Sequence, residues 1–142
     1  VSYRAAGGEK YPAGPTLADG VEAARALAEG ALSPLCGQAR LYLMSVDQAQ
    51  GVLRVRFGYR LAGCAVHLGS EGWAAEFLVR DGYISQFTLR FRRYAAGGEP
   101  TLLLPMEKAA VMLPDLSARR RELVLQYLDS GGTQVSPQWV AE

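Results

Sequence analysis

Residues 53–60 read LRVRFGYR, and this stretch decides the fold class because apolar and polar side chains alternate along it. Alternation with a period of two is the pattern of a β-strand that has one face in the core and the other in solvent. The apolar set is Leu53, Val55, Phe57 and Tyr59. The alternating set on the other face is Arg54, Arg56, Gly58 and Arg60. The stretch therefore predicts a half-buried strand.

The same period extends on both sides of this strand, from residue 38 to about residue 92. Segment 40–46 is apolar on both faces, segment 73–79 continues the inward-facing set, and segment 86–92 alternates again. Successive strands at short spacing predict an antiparallel β-meander.

The turn between the last two strands can be tested by register, because a slip of one residue moves every apolar side chain to the other face. A two-residue loop at 81–82 would set apolar residues of one strand opposite polar residues of the next. A three-residue loop sets Ala75 opposite Phe87 and keeps the apolar set together. We predict this longer loop, with Gly82 in the left-handed conformation.

Helical patterns stand on either side of the predicted strands. Thr16 is a suitable N-cap, Asp19 lies in the following turn, and an apolar stripe continues until stop signals appear, which predicts an N-terminal helix over residues 16–29. A proline start, good helix formers and a proline stop predict a short second helix over residues 105–113.

The two ends of the chain are less regular. Residues 1–15 mix glycine, proline and isolated aromatics, which indicates a linker or flexible arm, and residues 16–142 form a single α+β domain in this prediction. Segment 116–130 suits a helix or a strand, and periodicity does not decide between them. A turn at 130–132 precedes an alternating strand at 135–139.

Composition limits the classes of function. The chain has 142 residues with 15 basic and 14 acidic side chains, so its net field favours neither a nucleic-acid binder nor a membrane-surface protein. No apolar run reaches the roughly 20 residues that span a bilayer. The chain begins at Val1 rather than Met, and we expect a targeting or anchoring segment upstream of it.

The common catalytic motifs are absent from the sequence: it has no GxSxG, HExxH, CxxC or Gly-rich phosphate loop. His67 is the single histidine, and a structural or surface role is the simpler interpretation of it. Cys36 and Cys64 are either two buried thiols or one disulfide of an oxidising compartment. We therefore predict no catalytic residue, no metal site and no cofactor.

Arginines on the outward face of the predicted sheet are the candidate functional residues. They would form a basic patch for an anionic or protein partner if their strands are close, and the alternative is a solvated face balanced by Glu76 and nearby acids. RNA is disfavoured because the large aromatics lie on the apolar face, away from the basic groups. The candidates are Arg54, Arg56, Arg60, Arg90 and Arg92.

The order of segments resembles the YycH/YycI group of bacterial regulators and their relatives with PepSY-like repeats. The segments that carry the resemblance are RFGYRLAGCAV at 56–66 with Gly63 and Val66, FLVRDGYISQFTLRFRRY at 77–94, LLLPMEKAAVML at 102–113 with Ala109 or Ala110, LVLQYLD at 123–129, and Pro137, Trp139 and Val140. The resemblance favours a strand at 122–128 that forms a C-terminal β-hairpin across the turn at 131–132.

Proteins of that group are membrane-anchored, and their part outside the cytoplasm modulates a sensor histidine kinase of cell-wall metabolism. The resemblance thus implies a non-catalytic, extracytoplasmic regulatory domain in two-component signalling, anchored by a segment outside the given sequence. Its partner would be a protein or an anionic ligand of the cell envelope. The alternative is a cytoplasmic small-molecule-binding module or enzyme subunit.

Overall fold

The computed structural model describes residues 2–4, 11–97, 103, 105–108 and 122–142, without the side chains of 3 and 4. One nine-stranded mixed sheet and one long helix make this an α+β structure. In chain order the elements are β1 (Ser2–Arg4), β2 (Tyr11–Pro12), α1 (Leu17–Leu32), β3 (Arg40–Ala49), β4 (Val52–Leu61), β5 (Cys64–Leu68), β6 (Ala75–Arg80), β7 (Tyr83–Leu89), β8 (Leu123–Asp129) and β9 (Ser136–Ala141).

Strand β4, predicted from LRVRFGYR, lies at a fork in the sheet. Strand β3 pairs with it along one edge. Its other edge is shared, because residues 52–57 pair with β6 and residues 59–61 pair with β5. One branch continues from β6 to β7, and the other from β5 to β8 and β9.

Strands β3 to β7 are antiparallel as predicted, but the predicted meander is wrong because β6 pairs with β4 and not with β5, and the sheet as a whole is mixed. Strand β8 pairs with β5 in parallel, with Val66 beside Tyr127, and β9 then pairs antiparallel with β8. Parallel neighbours need a long connection, and the chain from β5 to β8, which includes β6 and β7, supplies it. Of the segment that suited either a helix or a strand, residues 123–129 form the strand β8, and residues 116–121 lie outside the described part of the chain.

Helix α1 starts where the sequence predicts. Thr16 and Asp19 form a reciprocal capping box, in which each side chain accepts a hydrogen bond from the other residue's backbone N–H. The helix continues past Gly30 to Leu32, beyond the predicted end at residue 29. Its buried face consists of small residues and one leucine, which lets the helix lie close to the sheet: Gly20, Ala24, Ala28 and Leu32.

Other predicted elements are only partly described. Residues 106–108 of the predicted second helix are helical, and its remainder at 109–113 lies outside the described residues. The predicted linker or arm at 1–15 contains β1 and β2, both of which pair with β7.

The hairpin between β6 and β7 corrects the predicted turn. Its loop has two residues, Asp81 and Gly82, with φ of 53° and 76°, so Gly82 is left-handed as predicted and the three-residue loop is wrong. Positive φ at both positions gives the turn that suits the twist of a two-residue hairpin.

A β-bulge restores the register that this short loop would otherwise spoil. Leu78 pairs with Gln86 and Val79 pairs with Ile84, so Ser85 is an extra residue in β7. Beyond the bulge Ala75 lies opposite Leu89 rather than opposite Phe87. The apolar residues of β6 and β7 therefore stay on one face of the sheet because of this bulge, which the sequence analysis did not predict.

Candidate functional site

The arginines at the start of β4 share one carboxylate. Arg56 Nε lies 2.8 Å from Glu76 Oε2, and Arg54 Nε lies 3.9 Å from the same atom. Glu76 is directly opposite Arg56 in the β4–β6 pair. For Arg54 and Arg56 this geometry agrees with the alternative of a face balanced by Glu76.

Arg90 holds the loop between β5 and β6. Its guanidinium carbon is 3.8 Å from the centroid of the Trp73 ring, and its Nη2 donates to Glu71 Oε2 at 2.9 Å. Its Nη1 lies 3.4 Å from the Leu68 carbonyl and 3.3 Å from the Trp73 carbonyl. Stacking and hydrogen bonding together use the whole planar group, which gives Arg90 a structural role.

Arg92 belongs to a buried polar network around Asp129. Its Nε and Nη2 donate to the two carboxylate oxygens at 2.8 and 2.9 Å, and Nη2 also donates to the Gly132 carbonyl. The Tyr94 hydroxyl donates to Asp129 Oδ2 at 2.7 Å, and the Gly131 N–H donates to Oδ1 at 2.9 Å. Asp129 is 0% exposed. Because Asp129 ends β8 while Arg92 and Tyr94 follow β7, their hydrogen bonds tie β8 to the segment after β7.

Protonation in this network follows from the same contacts. Burial raises the pKa of Asp129, but hydrogen bonds from Arg92, Tyr94 and Gly131 outweigh it, and the net pKa lies below the usual value. Burial, then the hydrogen bond to Asp129, raises the pKa of Tyr94. The pair is therefore an ionised carboxylate and a neutral phenol at neutral pH. Sequence analysis missed Asp129, although it is the single acid of a mainly apolar strand and stands at its end.

Arg60 has different surroundings from the other four candidates. Its guanidinium carbon lies 4.6 Å from the centroid of the Tyr42 ring. Arg40 is directly opposite Arg60 in the β3–β4 pair. Within the part of the chain that the structure describes, neither arginine forms an ion pair with a carboxylate. Like charges opposite each other are unfavourable. Glu142 lines the same groove as Arg60 but is in ion-pair contact with neither arginine, so positive charge is in excess at this position.

A half-open groove of about 480 Å³ adjoins Arg60. We call it the Arg60 groove; it lies between the end of β4 and strand β8, and its lining includes Tyr42, Met44, Arg60, Cys64, Gln126 and Glu142. Burial raises the pKa of Tyr42, an effect that the charge of Arg60 opposes and that of Glu142 adds to, with a net increase. The phenol therefore stays protonated and available as a hydrogen-bond donor at neutral pH.

Gly58 explains how Tyr42 reaches its place over β4. An added Cβ at Gly58 would lie 2.7 Å from Tyr42 Cε1, so only glycine lets the ring lie against the strand. In LRVRFGYR, Gly58 therefore stands between two outward-facing arginines, and its lack of a side chain leaves room for the Tyr42 ring. The ring in turn stacks with Arg60 and orients its guanidinium at the groove.

The cysteines and the histidine do not form a metal site with neighbouring acids. Among the residues described, no group of three or more His, Cys, Asp or Glu side chains is placed to hold a metal ion. Both cysteines are free thiols: Cys36 is buried with Sγ 3.0 Å from the Ala39 carbonyl, and Cys64 is half-buried. The ring of His67 lies under Gly72, where an added Cβ would meet its Nδ1 at 2.7 Å.

The two thiols should differ in reactivity. We expect Cys64 to react quickly with Ellman's reagent in the folded protein, and Cys36 only after unfolding, because thiol chemistry requires access to the sulfur. A titration should therefore count one fast thiol in buffer and two in guanidinium. The Cys64→Ser variant should lose the fast one, and two fast thiols in the native wild type would contradict the burial of Cys36.

Comparison with known proteins leaves these features to be interpreted on their own. No protein-family model, curated protein or solved structure matches the chain. Among the described residues, no helix has the length and apolar character needed to cross a bilayer. The Arg60 groove is thus the feature that points to a function, and the Asp129 network stabilises the fold.

Proposed function

We propose that this chain is a non-catalytic interaction domain that binds a protein partner through the Arg60 groove. One observation carries the proposal: Arg60 is oriented by Tyr42, faces Arg40, and has no carboxylate partner among the described residues. A carboxylate from a partner would give Arg60 the ion pair that it lacks inside the described fold. Arg54, Arg56, Arg90 and Arg92 already have carboxylates inside the fold.

The groove has the chemistry of a protein-binding surface more than that of a catalytic cleft. Arginine, tyrosine and methionine are enriched at the centres of protein interfaces, and Arg60, Tyr42 and Met44 occupy one side of this groove. Gln126 adds an amide that can donate and accept. A partner segment with an acidic side chain next to an apolar one would match this surface.

The compartment and the partner class come from the resemblance to the YycH/YycI group. We propose a domain located outside the bacterial cytoplasm, attached to the membrane through a segment outside the given sequence, whose partner is the sensor domain of a histidine kinase. An alkaline phosphatase fusion to the full-length protein tests the location, because this reporter is active only outside the cytoplasm. An inactive fusion would support the alternative of a cytoplasmic binding module or enzyme subunit.

The groove itself is tested by two alanine variants. Arg60→Ala should weaken binding to the purified sensor domain by about tenfold or more, equivalent to about 1.4 kcal/mol, because truncation removes an oriented cation at the interface. Arg54→Ala is the matched control on the same strand, and it should change affinity less than about twofold because Arg54 lies outside the groove lining. Isothermal titration calorimetry measures both.

Three other outcomes of the calorimetry would contradict parts of the proposal. Equal losses for the two variants would show that the whole sheet face binds and would contradict the assignment to the groove. Unchanged affinity for Arg60→Ala would exclude the groove as the binding site. Absence of binding by the wild type would remove the kinase as the partner.

A further inference from the structure

Strand β3 is a long edge strand with exposed apolar side chains. Within the described residues it pairs with β4 alone, and its ten residues contain neither proline nor glycine. Leu43 is 48% exposed, Met44 40% and Val46 36%. Unpaired edges of this kind invite pairing with another strand, and natural sheets usually shorten, charge or cover them.

A β-bulge determines which residues of β3 share a face. Leu43 pairs with Phe57 and Ser45 pairs with Arg56, so Met44 is an extra residue between them. Before the bulge the even-numbered residues of β3 lie on the same outward face as the arginines of β4. After the bulge the odd-numbered residues of β3 lie on that face. The outward set, read from the partners on β4, is Arg40, Tyr42, Ser45 and Asp47, and the inward set is Leu41, Leu43 and Val46.

This change of face makes β3 complementary to itself. In an antiparallel pair about a twofold axis, residues opposite each other must point to the same face. With the axis between Leu43 and Met44, the outward residues Arg40 and Tyr42 meet outward ones, the inward residue Leu41 meets an inward one, and the extra residue Met44 meets Leu43 beside the axis. The resulting opposite pairs are Arg40 with Asp47, Leu41 with Val46, Tyr42 with Ser45, and Leu43 with Met44.

The charges of β3 favour the same register. Within the described part of the chain, Arg40 and Asp47 have no ion pair of their own. Twofold pairing joins them twice, once at each end of the contact, and brings the exposed apolar residues together in the middle. Arg40 then gains a carboxylate, while Arg60 stays directed at its groove.

We propose that the outer edge of β3 binds the same edge of a second copy of this chain, so that two sheets join into one across a twofold axis. The partner is a second copy because the strand matches itself in charge and in apolar character around one axis. The dimer shares only Met44 with the Arg60 groove lining and needs no contact with Arg60, so its failure would leave the kinase-binding proposal standing.

A charge exchange tests both the dimer and its register. Sedimentation equilibrium of the wild-type chain should show a monomer–dimer equilibrium. Arg40→Asp and Asp47→Arg should each raise the dimer dissociation constant about tenfold or more, because each sets like charges opposite at two places. The double variant exchanges the charges and should restore the dissociation constant to within about threefold of the wild-type value.

Three results of the sedimentation experiment would contradict the proposed dimer. A wild-type chain that stays monomeric at all concentrations, or a dimer that neither single variant weakens, excludes the β3 edge as the contact. Loss without recovery in the double variant excludes this register. Arg80→Asp is a control for charge change at an exposed arginine of the same sheet, at the end of β6 and away from the β3 edge, and it should leave the dissociation constant unchanged.

Discussion

Replacing Asp129 by asparagine is expected to lower the free energy of unfolding by about 3 kcal/mol, because it leaves a fixed cation without its counter-charge. The carboxylate accepts two hydrogen bonds from Arg92 and one each from Tyr94 and Gly131, with no exposed surface of its own. An amide nitrogen at the same place would meet donors instead of acceptors. Urea unfolding followed by circular dichroism measures the change.

Glu71→Gln is the matched control for this prediction. Glu71 also accepts from an arginine, Arg90, at 2.9 Å, but its side chain is 53% exposed. Exposed ion pairs contribute little, so we expect a change of less than about 0.5 kcal/mol. Equal effects of the two variants would show that burial of Asp129 does not strengthen its interactions.

The same network predicts a pH dependence with a definite sign. The pKa of Asp129 is lowered in the folded state, so the unfolded chain binds more protons in the acidic range and stability rises with pH there. The contribution of Asp129 is complete above its unfolded pKa of about 3.9 and disappears as the pH falls through the folded value. The difference in stability between wild type and Asp129→Asn should therefore shrink on acidification, and a difference that grows would contradict an ionised Asp129.

Gly37→Ala is expected to destabilise the protein by about 3 kcal/mol or more, because the new Cβ has no room. Gly37 has φ of 68°, and an added Cβ would lie 2.3 Å from the Tyr94 carbonyl oxygen, a backbone atom. That backbone is fixed from both sides, since Tyr94 N donates to the Cys36 carbonyl at 3.0 Å and the Tyr94 carbonyl accepts from Gln38 N at 2.8 Å. Thermal and urea unfolding measure the loss.

Gly51→Ala separates crowding from backbone strain. Gly51 has φ of 75°, close to that of Gly37, but an added Cβ there would meet nothing within 4 Å. Only the cost of a left-handed alanine remains, about 1 kcal/mol. If Gly37→Ala and Gly51→Ala lower the free energy of unfolding equally, Gly37 and the Tyr94 carbonyl are farther apart than in the structure.

Local signals in the sequence predicted the parts of the fold that depend on neighbours along the chain. Strand β4 follows from alternation, the start of α1 from Thr16 and Asp19, and the left-handed Gly82 from its place in a tight turn. The bulge at Ser85 and the parallel pairing of β5 with β8 were not predictable in this way. The bulge depends on how the short turn and the apolar faces are reconciled, and the parallel pairing depends on which distant strand covers an edge. A period of two is the same in each case.

The candidate site shows the same limit. Alternation placed Arg54, Arg56 and Arg60 on one face, but it could not show that Arg54 and Arg56 share Glu76 while Arg60 does not contact it. Arg40 was missed because segment 40–46 reads as apolar on both faces, and its importance comes only from its position opposite Arg60. Partners of charged groups are set by strand register across the sheet, which a single sequence does not contain.

The parallel pairing of β5 with β8 also constrains how the protein is made. Strand β5 is synthesised well before β8, so the edge of residues 66–68 that β8 covers stays open while residues 69–122 are added. Strands β3 to β7 can assemble as they leave the ribosome, whereas the second branch of the fork must wait for β8 and β9. The nascent protein therefore exposes a sheet edge that a chaperone could protect, and a ribosome stalled before residue 123 would hold the domain in an unfinished state.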